Sequence, residues 1–241
     1  MDPSTEKKSR TARGTKARIL LVDYHPLLRE GLARRLALEE DLVICGQAGD
    51  GAEAIESAQR MRPNLMIVDI SLPGRDGIDL LKEIKARYPS LPVLVFSMHD
   101  ETLYAERALH AGARGYIMKS EPPERLIHGI RRVLAGDIAL SPEMVSRLLH
   151  RAAGMSASKA STAVELLTDR ELEIFRLIGE GHQRRKIAEE LHLSVKTVEA
   201  HRANIRQKLG LQNAAELLQH AIQFVQREAS PTRKDAPRSD S

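Results

Sequence analysis

RRKIAEELHLSVKTVEAHRANIRQKLGL, residues Arg184 to Leu211, is the stretch that decides how the C-terminal part of this chain folds. Ile187, Ala188 and Leu191 recur at helical spacing, Leu193 and Ser194 interrupt, and Val198, Ile205 and Leu209 resume a second apolar stripe. The pattern predicts two helices joined by a tight turn. Ser194 can accept a hydrogen bond from an unpaired amide of the next first turn, which places the start of the second helix at Val195. The outer face of that helix carries Lys196, Thr197, Glu199, Ala200, Arg202, Ala203 and Arg206. A charged helix face is commonly just a solvated one. Between His182 and Lys208, however, 7 Lys and Arg stand against 3 Glu, and such a density of cations on paired short helices suits a polyanion. His201 lies beside the inward stripe with no second ligand at metal spacing, so it reads as a packing residue.

Outward from this pair, Thr168 and Glu171 form a capping box for a helix that ends near Gly181, and Asn213 opens another from Ala214 to about Gln226. Four short helices over residues 164–228 make an all-α helix-turn-helix domain. The last helix has a wide stripe of Ala214, Leu217, Leu218, Ala221, Ile222 and Val225, more than its own core needs. Leu217, Leu218, Ala221, Ile222 and Val225 are therefore candidates for a dimer surface, and a two-fold dimer suits paired half-sites on double-stranded DNA.

At 241 residues the chain is long enough for a second domain. From Arg18 to Ala135, 16 Lys and Arg face 17 Asp and Glu, so the overall charge of +4 arises elsewhere and this region has no general affinity for polyanions. Residues 1–17 are polar and basic with no apolar run and read as disordered, not as a secretory signal. No stretch approaches the roughly 18 apolar residues of a membrane span. A single cysteine, Cys45, excludes an internal disulfide and reads as a buried strand thiol. A cytoplasmic, soluble protein is expected.

From Ile19 onward, short apolar runs alternate with helical patterns: ILLV before Leu27 to Leu38, LVICG before Ala52 to Arg60, LMIVD before Ile78 to Arg87, PVLVFS before Glu101 to Ala111, and GYIM before Pro122 to Leu134. Five βα units over residues 18–135 predict a doubly wound, five-stranded parallel sheet with helices on both faces. Residues just past the strands then gather at one edge, where such sheets bind ligands. That edge receives Asp23, Asp69, Ser97 and Lys119. Strand ends are often merely polar, but this set suits a carboxylate that accepts a phosphoryl group while a cation and a hydroxyl neutralise the added oxygens. Residues 136–163 read as a linker with a short helix, Pro142 to Arg151, and then a flexible tether, and 229–241 as a disordered tail.

The run LTDRELEIFRLIGEGHQRRKIAEELHLSVKTVEAHRANIRQKLGL, Leu167 to Leu211, resembles the LuxR-type helix-turn-helix of bacterial transcription regulators. The resemblance implies that the helix from Val195 to Leu209 enters the major groove. Arg184, Lys186, Lys196, Thr197, Arg202 and Arg206 would then meet phosphates or set register, and Glu199, Ala200 and Ala203 would face base edges. LLVDYHPLLREGL, IVDISLPGRDGIDLL, VLVFSMHD and GARGYIMKSEPPERL resemble the receiver domain of response regulators, with flavodoxin-like strand order. By that resemblance Asp69 is the phosphoacceptor, Asp23, Ser97 and Lys119 support it, Ser97 and Tyr116 act as the switch, and Asp23, Asp69 and the Ser71 carbonyl hold Mg²⁺. Pro73 and Gly74 would shape the loop behind Asp69. Both domains in this order resemble a NarL/FixJ-type response regulator, for which a sensor histidine kinase, homodimerisation on DNA and no membrane association are expected.

One position departs from the family pattern. Two adjacent acids are usual after the first strand, and here Asp23 is followed by Tyr24, so one charge and one ligand are lost. Two outcomes follow: a receiver that still holds Mg²⁺ through waters, or an atypical one whose DNA binding ignores phosphorylation and answers to dimerisation, a protein partner or a small ligand. An enzymatic reading, with Asp69 as the covalent nucleophile of a phosphatase, lacks a substrate-domain insertion, so the chain is not expected to be an enzyme. A dinucleotide site lacks its glycine-rich loop at Asp23 to Pro26.

Overall fold

The structure, a computed structural model, describes residues 16–72, 77–153, 162–191 and 193–229. Residues 1–15 of the basic N-terminus, the Pro73–Gly74 loop, 154–161 of the tether and 230–241 of the tail lie outside the described residues. At the margins of those segments the expectation is corrected, since Ala17 opens the sheet, Ala152 and Ala163 are helical and Ala229 ends the last helix, each continuing the hydrogen-bonding of its neighbours.

Strands β1 (Ala17–Val22), β2 (Leu42–Ala48), β3 (Leu65–Val68), β4 (Val93–Ser97) and β5 (Gly115–Met118) form one parallel sheet in the order β2-β1-β3-β4-β5. Side chains alternate across a strand, and β1 shows how that sorts the core. Ile19 and Leu21 join Leu36, Phe96, Ile117, Leu126 and Ile130 on the face covered by α1 (Pro26–Leu36) and α5 (Pro123–Leu134). Leu20 and Val22 join Met66, Val95 and Tyr116 on the face covered by α2 (Gly51–Met61), α3 (Gly77–Arg87) and α4 (Glu101–His110). β3 and β4 are buried throughout and β1 from Ile19 to Val22, the condition that makes continuous apolar runs such as LMIV legible as strands, whereas the edge strand β2 is buried only at Leu42 and Ala48.

Two local details depart from a plain ladder. The β1/β2 register shifts so that Ile19 pairs with Ile44 and Leu20 with Gly46, leaving Cys45 as the extra residue. Its thiol donates to the Ile19 carbonyl at 3.4 Å and is half-buried rather than fully buried as expected; burial still pushes its pKa up. At the other edge, the Tyr116 amide donates to the Ala139 carbonyl at 2.8 Å, and this segment covers the free side of β5.

Beyond it, α6 (Pro142–Ala152) is capped by Ser141, whose hydroxyl accepts from the Met144 amide. The helical domain then comprises a single turn, α7 (Thr162–Glu165), and four helices: α8 (Asp169–Gly179), α9 (Arg184–Glu190), α10 (Val195–Leu209) and α11 (Ala214–Ala229). The expected capping box is formed, with the Thr168 amide donating to Glu171 at 2.8 Å and the Glu171 amide donating to the Thr168 hydroxyl. Gly210 ends α10 in the left-handed region at φ 68°, where a side chain would be strained. α8 and α11 pack so closely at Gly179 that a Cβ there would sit 2.2 Å from the Ala221 carbonyl oxygen.

The buried apolar residues of the α3/α4 side run on through Leu140 and Met144 to Leu167, Leu172 and Phe175 of the helical domain. Polar contacts mark the same junction. Arg107 of α4 donates to Asp169 at 2.9 Å and to the Leu167 carbonyl at 2.8 Å, and Lys82 of α3 donates to Asp169 at 3.1 Å. These contacts fall on the start of α8 and not on the outer face of α10.

Candidate phosphorylation site and nucleic-acid interface

β1 and β3 end side by side, so the residues that follow them, Asp23 and Asp69, meet at the carboxyl edge of the sheet. Both are buried, at 3% and 2% exposure. Lys119, just past β5, is carried to them because its amide donates to the Ser97 carbonyl at the end of β4. Its ammonium lies 2.5 Å from Asp23 Oδ2 and 2.6 Å from Asp69 Oδ2. Two buried carboxylates on one ammonium leave a net charge of about −1, tolerable inside protein only because the partners are in direct contact.

The other oxygens face different partners. Asp23 Oδ1 accepts from the His25 amide at 2.8 Å and lies 3.2 Å from His25 Nδ1. Asp69 Oδ1 accepts from the Ser71 amide at 3.0 Å. The Arg29 guanidinium donates to the Asp23 carbonyl. Tyr24, where the second acid was expected, is 54% exposed, its ring against that of His25 at 5.7 Å. It is not part of the carboxylate pocket.

A second layer links this pocket to the junction with the helical domain. Ser97 is fully buried, and its hydroxyl accepts from the His99 amide at 3.3 Å. His99 Nε2 is 2.9 Å from the Ser71 hydroxyl, its ring stacks on Tyr104 at 4.7 Å, and its carbonyl accepts from the Tyr116 hydroxyl at 3.0 Å. Burial, aided by the positive field of Arg176 on α8, lowers the His99 imidazole to about 4, so it is neutral at pH 7. His99 therefore joins Ser71 after β3, Ser97 at the end of β4 and Tyr116 of β5, and lies in the field of Arg176 from the other domain.

The sequence gathers Asp23, Asp69, Ser97 and Lys119 at one edge, with Ser71 and Tyr116 added by resemblance; the geometry puts Lys119 on both aspartates and the Ser71 amide on Asp69, and leaves Ser97 and Tyr116 a layer away, joined through His99. The sequence reading missed His25 and His99. The signal for His25 was its position directly before Pro26, at the N-cap of α1; for His99 it was the spacing of two residues beyond a buried strand end.

In the helical domain Ser194 caps α10 by accepting from the Thr197 amide at 3.0 Å. Its hydroxyl also meets the Thr197 hydroxyl at 2.7 Å, which engages Thr197 locally. Arg184, Lys186, Lys196, Ala200 and Ala203 are exposed, and Glu199, Arg202 and Arg206 partly so. Glu199 is paired with Arg184 at 3.1 Å across the two helices. Lys208, counted among the local cations, turns inward instead: its ammonium lies 2.6 Å from the buried Glu171. Burial raises the Glu171 carboxyl, but Lys208 and the Thr168 amide outweigh that and hold it below the usual range.

The dimer stripe divides. Leu217 and Ala221 are at 0% exposure and pack against α8, so they are core residues, a correction to their expected surface role. A stripe that wide on one helix must serve two faces, and only burial shows which residues serve which. Leu218 and Ile222 are exposed, and Val225 is partly so.

An ammonium bound between two buried carboxylates at the carboxyl edge of a 2-1-3-4-5 sheet, joined in one chain to a capped helix-turn-helix, defines a receiver coupled to a DNA-binding-type domain, the plan of a response regulator. Residues 19–131 match the family model of the response regulator receiver domain, and residues 165–221 that of bacterial regulatory proteins of the luxR family. The oxygen regulatory protein NreC of Staphylococcus carnosus is 35% identical over 209 residues, covering 85% of this chain and 96% of NreC. RcsB of Salmonella enterica serovar Typhimurium, bound to promoter rprA in the presence of phosphomimetic BeF3−, is 27% identical with a TM-score of 0.63, over 86% of this chain and 99% of that one. A further structure of Salmonella typhimurium RcsB is 26% identical with a TM-score of 0.67, over 88% and 98%. The chain belongs to the NarL/FixJ-type response regulators, two-component proteins with a receiver and a LuxR-type helix-turn-helix. No helix among the described residues is long and apolar enough to cross a membrane.

Proposed function

We propose that the chain is a transcription regulator that binds double-stranded DNA as a homodimer through α9 and α10, under the control of phosphorylation of Asp69 by a sensor histidine kinase. The buried Asp23–Lys119–Asp69 contact carries this reading. An Asp69 oxygen would bond to the phosphorus as the P–N bond of a phosphohistidine breaks, giving an acyl phosphate and a free imidazole on the kinase. Lys119 is already placed to hold one of the new oxygens, and the Ser97 hydroxyl lies in the adjoining layer. Asp23, Asp69 and the Ser71 carbonyl are the oxygen groups that would hold a divalent cation such as Mg²⁺, and two carboxylates already gathered fit that need without the missing acid. When bound, such an ion neutralises charge on the phosphoryl oxygens.

The added charge has a route to the other domain. Ser97, His99 and Tyr116 adjoin the pocket, and α4, which follows His99, holds Asp169 through Arg107. A shift there would change contacts that the helical domain makes in one arrangement and not another. On DNA, Arg184, Lys186, Lys196, Arg202 and Arg206 would meet phosphates while Ala200, Ala203 and Glu199 face bases, Glu199 after exchanging Arg184 for its new partner. Leu218, Ile222 and Val225 remain as the α11 dimer face.

The exposed Tyr24 favours one other reading, a receiver that binds DNA regardless of phosphorylation. Incubation with a divalent cation and acetyl phosphate, followed by intact mass and DNA-binding measurements, separates the two. Phosphorylation control requires about 80 Da added to the wild type, none to Asp69→Asn, and tighter DNA binding by the modified protein. No added mass, or added mass without a change in DNA affinity, supports the alternative.

A further inference from the structure

The pocket has Tyr24 in place of a second oxygen ligand, and an imidazole, His25, stands one residue later. One ligand atom each from Asp23, His25 and Asp69 lies within 4.8 Å of the others. An ion with bonds of about 2.1 Å spans opposite ligands by about 4.2 Å and adjacent ones by about 3 Å, so three atoms gathered this closely need a further inward adjustment to seat one. The two aspartates are fixed by burial, whereas the His25 side chain is 63% exposed and has room to make that adjustment. Lys119 takes Oδ2 of both carboxylates, and Oδ1 of both is on other partners, His25 for one and the Ser71 amide for the other. A cation on Oδ1 of either carboxylate therefore need not displace the lysine.

Charge and ligand type then decide which cation. With one ammonium against two carboxylates the pocket attracts Mg²⁺ less than three acids would. Mg²⁺ also gains little from imidazole, because it favours hard oxygen ligands and keeps its waters. First-row transition ions gain much more from a neutral imidazole, and their affinities rise along the series from Mn²⁺ toward Cu²⁺.

We propose that His25 completes the receiver's cation site as a nitrogen ligand, so that this chain selects a first-row transition-metal divalent ion over Mg²⁺. The inference rests on reading the Asp69 pocket as the phosphorylation site. It is tested with the full chain by titrating Co²⁺ and following its visible d–d absorption, then displacing it with Mg²⁺. His25→Ser is the variant of choice, since serine keeps a good N-cap for α1 and offers no imidazole. The expected result is a loss of Co²⁺ affinity of about tenfold or more in His25→Ser, a scale typical of disturbing a metal shell, a shift in the absorption band, and a Mg²⁺ affinity unchanged within about twofold. Tyr24→Asp should do the reverse for Mg²⁺ and raise its affinity by about tenfold. Unchanged Co²⁺ binding and spectrum in His25→Ser, or equal losses for both ions, would overturn the proposal. If Co²⁺ binds through His25 but acetyl phosphate adds no mass, the metal site stands and phosphorylation falls. If Mg²⁺ supports phosphorylation with no dependence on His25, only the metal proposal falls.

Discussion

Lys119→Met tests the electrostatic core of the site most directly. The substitution keeps the length of the side chain and removes the ammonium that, among the described residues, contacts both Asp23 Oδ2 and Asp69 Oδ2, at 2.5 and 2.6 Å. Both carboxylates are then buried, adjacent and without that ammonium. Removing one partner of a buried ion pair costs about 3–5 kcal/mol, and two like charges sharing a site put this case toward the upper end. Asp69→Asn in the same chain removes one of those charges, so the double variant should recover about 2 kcal/mol, and a divalent cation should narrow the gap by binding the folded form. All four tyrosines, Tyr24, Tyr88, Tyr104 and Tyr116, lie in the receiver and there is no tryptophan, so tyrosine fluorescence in urea reports receiver unfolding alone. The comparison needs wild type, both single variants and the double variant, at pH 7, with chelator and with added cation. A Lys119→Met receiver within about 1 kcal/mol of wild type, or an equal cost in the Asp69→Asn background, would refute the claim that this contact holds two charged carboxylates together.

Four further outcomes follow from the same geometry. His99 is held at about 4 in the folded receiver against 6.5 ordinarily, so below pH 6.5 the unfolded chain binds a proton that the folded one excludes; stability should fall by roughly 2–3 kcal/mol between pH 6.5 and 4, and His99→Gln should flatten that dependence in urea titrations. In DNA-binding titrations against salt, Lys196→Ala and Arg206→Ala should each reduce the slope of log K by about 1. Lys208→Ala should leave that slope alone and instead lower the melting transition of the helical domain, because its ammonium serves the buried Glu171. Gly179→Ala should cost about 1–3 kcal/mol, read from the thermal transition of the helical domain by circular dichroism, since its new Cβ would meet the backbone of α11; a stabilised variant would mean that α8 and α11 are not in that contact.

Much of this protein is legible along the chain. Helix periodicity and capping act over three or four residues, so the start of α10 at Val195, the Ser194 cap and the Thr168–Glu171 box follow from local spacing. Alternation of buried strands with amphipathic helices is equally local, and parallel strands must deliver Asp23, Asp69, Ser97 and Lys119 to one edge. The sequence by itself therefore determined the two domains, the polarity of the sheet and the identity of the edge residues. Tertiary structure decided what joins over long separations: Lys119 reaches Asp23 across 96 positions and Asp69 across 50, and Lys208 reaches Glu171 across 37. It also decided that His25 and not Tyr24 adjoins the pocket, that Leu217 and Ala221 are core while Leu218 and Ile222 are surface, and that the receiver meets the helical domain at Asp169. The reason is physical. A side chain's partner depends on which of its neighbours burial and packing leave within reach, and no local period in the sequence carries that information.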